Sequence, residues 1–330
     1  MMLRRNLPLL ITLIVLIAGY LLCAVRFPGF ASWRVLCDLL TDNAFLGIVV
    51  VGMTFVILSG GIDLSVGSVI AFSGVLLAKL IGDYGIPPIY SFMLLLVMGT
   101  LFGGFMGWLI DALKLPAFII TLAGMFFIRG LSFLISEESL PINHPLYASL
   151  AGCAWKLPGG GQFSLLAGVM LLIVVAGIIL AHRTPFGHNV FAIGGDRESA
   201  ALMGVPVRRT TVLIYMLSSL LSVIAGIVFS IYTSAGYALA ASGVEMDAIA
   251  AVVIGGTLLS GGVGTVFGSL LGVLIQGLIQ TYITFDGTLS SWWTKIVIGL
   301  LLFVFIVLQK LMSAYWQFRR QQHQLSSGSA

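Results

Sequence analysis

The chain has 330 residues, of which 59 % are hydrophobic and 8 % charged; its formal net charge is +4 and its mean hydropathy +1.12. An ordinary soluble domain carries roughly 25 % charged residues, so too few charges are present to cover a water-facing surface, and the same composition excludes a disordered chain. A spanning helix takes about 20 apolar residues, which leaves space for about ten spans and for no large catalytic domain.

In chain order, Arg4 and Arg5 precede an apolar run from Leu7 to Val25. The run is too long for a signal peptide and no small-x-small cleavage site follows it, so it reads as an uncleaved first span. Hydropathy then predicts helices over 43–58, 66–82, 89–110, 117–135, 164–181, 211–234, 246–259, 262–283 and 293–312. The expected fold is all-α: a single polytopic membrane domain, 1–330, of about ten transmembrane helices. An even number of spans puts both termini on one side. Arg4, Arg5, Lys114, Arg183, Arg197, Arg208, Arg209, Lys310, Arg319 and Arg320 then share that side, while Arg26, Arg34 and Lys156 fall in loops opposite. The positive-inside rule makes the richer side, with both termini, cytoplasmic. Cys23, Cys37 and Cys153 are odd in number and form no CxxC pair, which predicts free thiols.

Two glycine-rich breaks interrupt the spans. The first is Ser59-Gly60-Gly61-Ile62-Asp63-Leu64-Ser65-Val66-Gly67-Ser68; the second is Gly255-Gly256-Thr257-Leu258-Leu259-Ser260-Gly261-Gly262-Val263-Gly264-Thr265. They mark a weak internal repeat with halves of about 1–160 and 161–330. Each half also spaces glycines four apart, at Gly99, Gly103 and Gly107 and at Gly264, Gly268 and Gly272, so that a neighbouring helix can approach one small face closely. Backbone that leaves the helix inside a bilayer must be buried in protein or line a water-filled cavity, so matching breaks in two halves point to a transport path. The candidate path or gate residues are Ser59, Gly60, Gly61, Asp63 and Ser65 with Gly255, Gly256 and Thr257. The other reading makes both breaks hairpins at a membrane surface.

Asp63 has two readings as well. It caps the helix beginning near Leu64, or it binds solute or gates, since a carboxylate in the bilayer centre costs about 2.5–3.5 kcal/mol and calls for a role or a partner. Glu245 and Asp247 favour the N-terminus of the eighth span. Lys79 and Lys295, near outer helix ends, are expected to snorkel. Arg129, late in the fifth span, either faces the bundle or reaches an interface. Trp292 and Trp293 read as interface anchors of the last span.

The longest cytoplasmic segment runs from His182 to Thr210. In it Gly194-Gly195 makes a turn, Asp196 is a good N-cap and Glu198 suits a helix N-terminus. Ser199 to Met203 forms about one and a half turns, after which Gly204 and Pro206 stop the helix. Its small face, Ala200 and Ala201, suits a groove on another protein; a merely structured loop is the alternative. No Gly-Lys dipeptide, HExxH or paired-Cys motif occurs, and His144, His182, His188 and His323 are scattered. No catalytic residue, cofactor, metal site or nucleic-acid partner is expected, and uphill transport would draw its energy from another subunit.

Three segments resemble the membrane subunits of ribose-type sugar ABC importers. They are Gly52 to Ser68, Ala192-Ile193-Gly194-Gly195-Asp196 with Ala200-Ala201-Leu202-Met203-Gly204-Val205, and Glu245-Met246-Asp247-Ala248-Ile249-Ala250-Ala251-Val252-Val253-Ile254-Gly255-Gly256-Thr257. The resemblance covers nearly the whole chain. It implies a permease of the bacterial inner membrane, in contact with lipid. A cytoplasmic ATP-binding subunit would power it, a periplasmic sugar-binding protein would deliver the sugar, and a second homologous permease subunit would complete the path. It also maps the family's ATPase-coupling helix onto Gly195, Asp196, Glu198, Ser199, Ala200, Ala201, Leu202, Met203 and Gly204. Asp196 stands where relatives often carry Asn, and Met203 where many carry Ser. Within the family, Glu137-Glu138-Ser139 with Pro141 to Pro145, and Phe285 to Lys295, resemble the branch that imports galactofuranose. The rival class is a self-contained secondary sugar transporter or channel, which would need a coupling-ion site or a continuous pore.

Overall fold

The computed structural model describes residues 2–157, 160–290 and 292–327, with side chains described within 9–157, 160–290 and 292–310. The side chains of Arg4, Arg5, Arg319, Arg320 and His323, and the whole of Ser291, lie outside the described residues. The helices are α1 (Met2–Arg26), α2 (Trp33–Asp42), α3 (Ala44–Leu58), α4 (Val66–Gly82), α5 (Pro88–Leu113), α6 (Ala117–Ile135) and α7 (Pro145–Ala151). They continue with α8 (Leu165–Arg183), α9 (Pro185–Gly195), α10 (Arg197–Leu202), α11 (Val207–Thr233), α12 (Val244–Ile254), α13 (Val266–Asp286) and α14 (Trp292–Ser327). Two short antiparallel pairs accompany them: β1 (Leu140–Pro141) with β4 (Ala235–Gly236), and β2 (Ala154–Lys156) with β3 (Gln162–Ser164).

This is an all-α polytopic membrane protein. Among the described residues seven helices are long and apolar enough to cross a membrane, or eight if α2 and α3, bent by 54° at Asn43, form one span. The expected count of about ten transmembrane helices, with two Gly-rich breaks, is not reached among the described residues. The eighth predicted span, 246–259, is the 11-residue α12: Gly243 at φ +87° precedes it and Gly255-Gly256, the latter at φ +90°, ends it. The first break likewise shortens α4 to 17 residues.

Helix α11 is the central post, with α5, α3 and α4 packed around it. The spaced glycines explain the closest of these contacts. A Cβ on Gly103 would overlap the Tyr215 carbonyl, one on Gly107 would stand 2.8 Å from Val212 Cα, and one on Gly99 would strike Val223. The second series does the same for α13 against α12, where Gly268 and Gly272 leave room only for the carbonyls of Gly255 and Ala251. Such interfaces are held by backbone-to-backbone van der Waals packing, which is what helices in lipid have in place of a hydrophobic driving force.

Between α11 and α12 the chain re-enters the bundle without helix. Gly236 lies against Gly74, and the Ala241 carbonyl lies against Gly67. The two α4 positions differ by about 10 Å along the axis at 1.5 Å per residue. Arg129 of α6 meets this segment, its Nη1 donating to the carbonyls of Ala238 at 2.6 Å and Ala240 at 2.9 Å. Arg129 thus faces the bundle, and it supplies donors to backbone that no helix satisfies.

Gly103→Ala should lower the stability of the detergent-solubilised chain by about 1–3 kcal/mol, the usual cost of overpacking. Gly130→Ala, where a Cβ meets nothing within 4 Å, should be neutral or stabilising by up to about 1 kcal/mol from helix propensity. Thermal unfolding followed by tryptophan fluorescence checks the pair; equal midpoints would refute the close-packing account.

Candidate functional site

The first break begins as a helix cap. Gly60 adopts φ +81°, and the N–H groups of Gly60 and Gly61 donate to the carbonyls of Ile57 and Val56 at 2.9 and 3.0 Å, closing the last turn of α3. Residues 61–65 then run without helix to Ser65, which is the N-cap position of α4. Asp63 is fully buried. Its Oδ1 accepts from the Ser65 N–H at 3.0 Å and the Ser65 hydroxyl at 2.6 Å, and its Oδ2 accepts from the Ser218 hydroxyl on α11 at 2.7 Å. Asp63 is therefore a brace that ties the break to the central post, two residues before the N-cap of α4. The Thr121 hydroxyl on α6 donates to the Ile62 carbonyl at 3.1 Å and closes the other side.

The second break is a longer loop. Gly261 and Gly262, at φ +86° and +75°, turn it, and Leu258 N–H donates to the Val263 carbonyl across the turn at 2.9 Å. Thr265 caps α13 by accepting from Gly268 N–H at 3.0 Å. Side chains from other helices reach the end of α12: Thr12 on α1 donates to the Ile254 carbonyl at 2.6 Å, and Gln309 on α14 adds a second donor at 3.2 Å to the Val253 carbonyl, which already accepts the Gly256 N–H at 2.9 Å. Thr257 is fully buried beside Gly264, and its hydroxyl has no hydrogen-bond partner among the described residues.

The two breaks touch. Gly262 N–H donates to the Leu58 carbonyl at 2.9 Å, so the end of α3 is hydrogen-bonded to the loop between α12 and α13. Gly194 sits against the same bond: a Cβ there would overlap the Leu58 oxygen and stand 2.5 Å from Gly262 N. A Cβ on Gly261 would stand 2.8 Å from Gly60 N and 3.0 Å from the Gly194 carbonyl. Three glycine pairs far apart in sequence, Gly60-Gly61, Gly194-Gly195 and Gly261-Gly262, thus form one backbone junction. A cavity of about 380 Å³ borders it, lined in part by Ser59, Gly61, Asp196, Arg197 and Tyr215. A second, of about 750 Å³, lies beside the other break against His182, His188, Gly256 and Gly264.

Gly194 belongs to an elbow of two helices at that end of the bundle. Thr184 caps α9 by accepting from Gly187 N–H at 3.2 Å, with Pro185 in the first turn. Asp196 caps α10 by accepting from Ser199 N–H at 2.6 Å. Hydrogen bonding from the side chain and N–H of Ser199 holds the Asp196 carboxyl below the ordinary carboxylate range. Arg197 anchors the elbow through Nη2 to Asp111 Oδ1 at 2.7 Å, at the end of α5. Gly204 at φ +84° ends the elbow.

Within 182–210, where one short helix is expected, the chain also forms α9, for which Thr184-Pro185 is the helix-start signal. Ala200, expected on a docking face, is instead fully buried against its own chain. The exposed side carries Ala201, Leu202 at 90 % and Met203 at 74 % exposure, with Glu198 and Ser199 beside them.

A polytopic bundle with two broken helices joined at one backbone junction, and an exposed elbow seated on it, defines a membrane permease. Residues 35–306 match the family described as branched-chain amino acid transport system / permease component, and the chain belongs to this family of ABC-importer permeases. It is 69 % identical over 319 residues to the inner membrane ABC transporter permease protein YjfF of Escherichia coli, covering 97 % of this chain and 96 % of that one. The fructose import permease protein FruG of Bifidobacterium longum is 37 % identical, covering 94 % of this chain and 93 % of its own. The ribose import permease protein RbsC of Bacillus subtilis is 36 % identical, covering 89 % and 90 %. The ribose-type resemblance read from the three motifs is borne out. No solved structure matches.

Gly194→Ala should displace the Leu58–Gly262 hydrogen bond and cost about 1–3 kcal/mol, whereas Gly195→Ala, open on all sides, should stay within about 0.5 kcal/mol of wild type. Thermal unfolding of both variants in detergent checks this; a tolerated Gly194→Ala would mean that the junction is not held as described.

Proposed function

We propose that the chain is one permease subunit of an ABC importer carrying galactofuranose from the periplasm to the cytoplasm. The reading rests on the junction, in which a single backbone hydrogen bond joins both broken helices and an exposed elbow abuts it. In this reading Gly195 to Gly204 is the coupling helix. Ala201, Leu202 and Met203 dock on a cytoplasmic ATP-binding subunit, and Ala200 and Asp196 fix the helix to the permease. Ser59, Gly60, Gly61, Asp63 and Ser65 with Gly255, Gly256 and Thr257 form the gate between two pseudo-repeat halves. A second homologous permease subunit faces this one across the path, and a periplasmic binding protein docks at the opposite end.

Charge supports this orientation. Lys114, Arg183, Arg197, Arg208 and Arg209 gather at the elbow end, as the positive-inside rule asks of the cytoplasmic side with both termini there. The sugar class draws support from relatives whose printed names are ribose and fructose import permeases and which align with nearly the whole chain. Galactofuranose itself rests on the resemblance of Glu137 to Pro145 and of Phe285 to Lys295. An elbow pressed by the ATP-binding subunit cannot shift Gly194 without moving both breaks. A ligand drives such a switch only by binding the two states with different free energies, and an exposed, rigid elbow is where that difference acts.

The test is uptake of labelled galactofuranose into proteoliposomes holding this chain with its co-purified partners and ATP. Ala201→Trp should reduce uptake to background and abolish co-purification of the ATP-binding subunit, with membrane insertion unchanged. Normal uptake by a well-expressed Ala201→Trp variant would refute the docking role, and ATP-independent uptake by the chain alone would favour the secondary transporter.

A further inference from the structure

Among the described residues, Asp63, Arg129 and Asp247 are charged side chains at membrane depth that have partners, and Glu245 stands apart from them. Asp63 receives three donors, Arg129 donates to two carbonyls, and Asp247 is paired with Lys295 Nζ, which lies 2.7 Å from its Oδ1. Glu245, on the first turn of α12, receives none. Its Oε2 is buried with no hydrogen-bond partner among the described residues, and it packs against Gly67 where any side chain would displace it. Arg129 is the cation within electrostatic reach of Glu245, but the hydrogen bonds recorded for its guanidinium go to Ala238 and Ala240.

The position is deep. From Glu245 to the junction end of α12 is about 14 Å at 1.5 Å per residue. The next carboxylate residue, Asp247, gives its backbone carbonyl to Gln276 Nε2 at 3.0 Å, and Gln276 lies about 15 Å from the far end of α13. Glu245 is therefore near the middle of a hydrocarbon core of about 30 Å. It is not enclosed either. Met246 beside it is 56 % exposed, and the re-entrant residues Leu239 and Ser242 are exposed as well. Non-helical backbone reaching the chain's surface at mid-membrane, with a carboxylate oxygen that lacks a donor just beneath it, is incompatible with lipid and requires a wet, polar neighbour.

We propose that Glu245 is a solute-binding residue of the translocation path, accepting hydrogen bonds from the hydroxyl groups of a sugar in transit. This rests on the importer reading above and adds to it a binding residue outside the gate and the coupling helix. A carboxylate is acceptor-only, and a sugar presents a dense set of O–H donors. Each O–H···O⁻ bond is charge-assisted and is made most strongly where water is scarce. The guanidinium of neighbouring Arg129 gives its hydrogen bonds to Ala238 and Ala240 and so leaves the Glu245 lone pairs open. Asp247, two residues on, is already paired with Lys295 and plays no such part.

The test uses the assembled complex in membrane vesicles. Cys23→Ser, Cys37→Ser and Cys153→Ser remove the native thiols, and either Glu245→Cys or Leu101→Cys is added, Leu101 being a lipid-facing position on α5 at 65 % exposure. The probe is the water-soluble reagent 2-sulfonatoethyl methanethiosulfonate. Glu245→Cys should be labelled at least about tenfold faster than Leu101→Cys, and galactofuranose should slow the labelling. In the chain with its native cysteines, Glu245→Ala should lower kcat/KM for galactofuranose uptake about tenfold or more, the loss of one hydrogen bond to a charged group. Glu245→Gln, which keeps an acceptor oxygen, should lose less. An unlabelled Glu245→Cys overturns the proposal, as does wild-type uptake by Glu245→Ala. Loss of the second permease subunit from Glu245→Ala complexes also overturns it and would make Glu245 an interface charge. If the wild-type complex takes up no sugar, the importer reading fails, while the labelling result still decides whether Glu245 faces water.

Discussion

The Leu58 carbonyl accepts the N–H of Gly262 at 2.9 Å, and the placement of both broken helices follows from that bond. A helix that stops inside or at the edge of a bilayer leaves carbonyls and N–H groups that lipid cannot satisfy, each unsatisfied group costing several kcal/mol at full desolvation. The chain answers by letting one break satisfy the other. Close approach of two backbones needs residues without side chains on both, and a third backbone fits only if it too is glycine. Gly60-Gly61, Gly261-Gly262 and Gly194-Gly195 meet that requirement together, which is why these pairs recur at three distant places. Further carbonyls are met from other helices: Ile62 by Thr121, Ile254 by Thr12, and the re-entrant Ala238 and Ala240 by Arg129.

The same reasoning orders the buried charges. Asp63 is held in its buried site by two donors from Ser65 in the break and a third from Ser218 on the post. Charge-assisted hydrogen bonds are roughly twice as strong as neutral ones, so a carboxylate ties a non-helical segment to a helix more firmly than an amide would. Arg129 plays the matching role for the re-entrant segment with opposite sign. One anion and one cation each pin irregular backbone against a regular helix.

Much of this was legible in the sequence. Apolar run lengths placed α3, α4 and α6 to the residue or nearly so, since in lipid hydropathy and helix coincide. The glycine spacing of Gly99, Gly103 and Gly107 told which face of α5 is approached closely. The eighth span was misjudged because Ala248 to Ile254 is apolar enough for a span while Gly243 and Gly255, which bound the helix, carry no hydropathy signal of their own. The partners of Arg129 were invisible for another reason: they are backbone carbonyls, which every residue possesses, more than a hundred positions away. The junction was hidden likewise. Each glycine pair reads as a local turn, and nothing in a turn announces which other turn it will touch. Ala200 was assigned outward because a small residue suits a docking face and a packed one equally; only burial separates the two.

The junction also constrains how the molecule can move. Packed backbones without side chains have no rotamers to rearrange, so a displacement at Gly194 cannot be absorbed locally as it would be among flexible side chains. Either the Leu58–Gly262 bond holds and α3, α12 and α13 shift as a body with the elbow, or it breaks and leaves a donor and an acceptor that must find new partners. Both outcomes are discrete, which is the property a two-state element requires. In the importer proposed above, a force applied to α10 therefore reaches both halves of the chain through one bond, and the free-energy gap between its two states is set by where the Leu58 carbonyl and the Gly262 N–H go when they part.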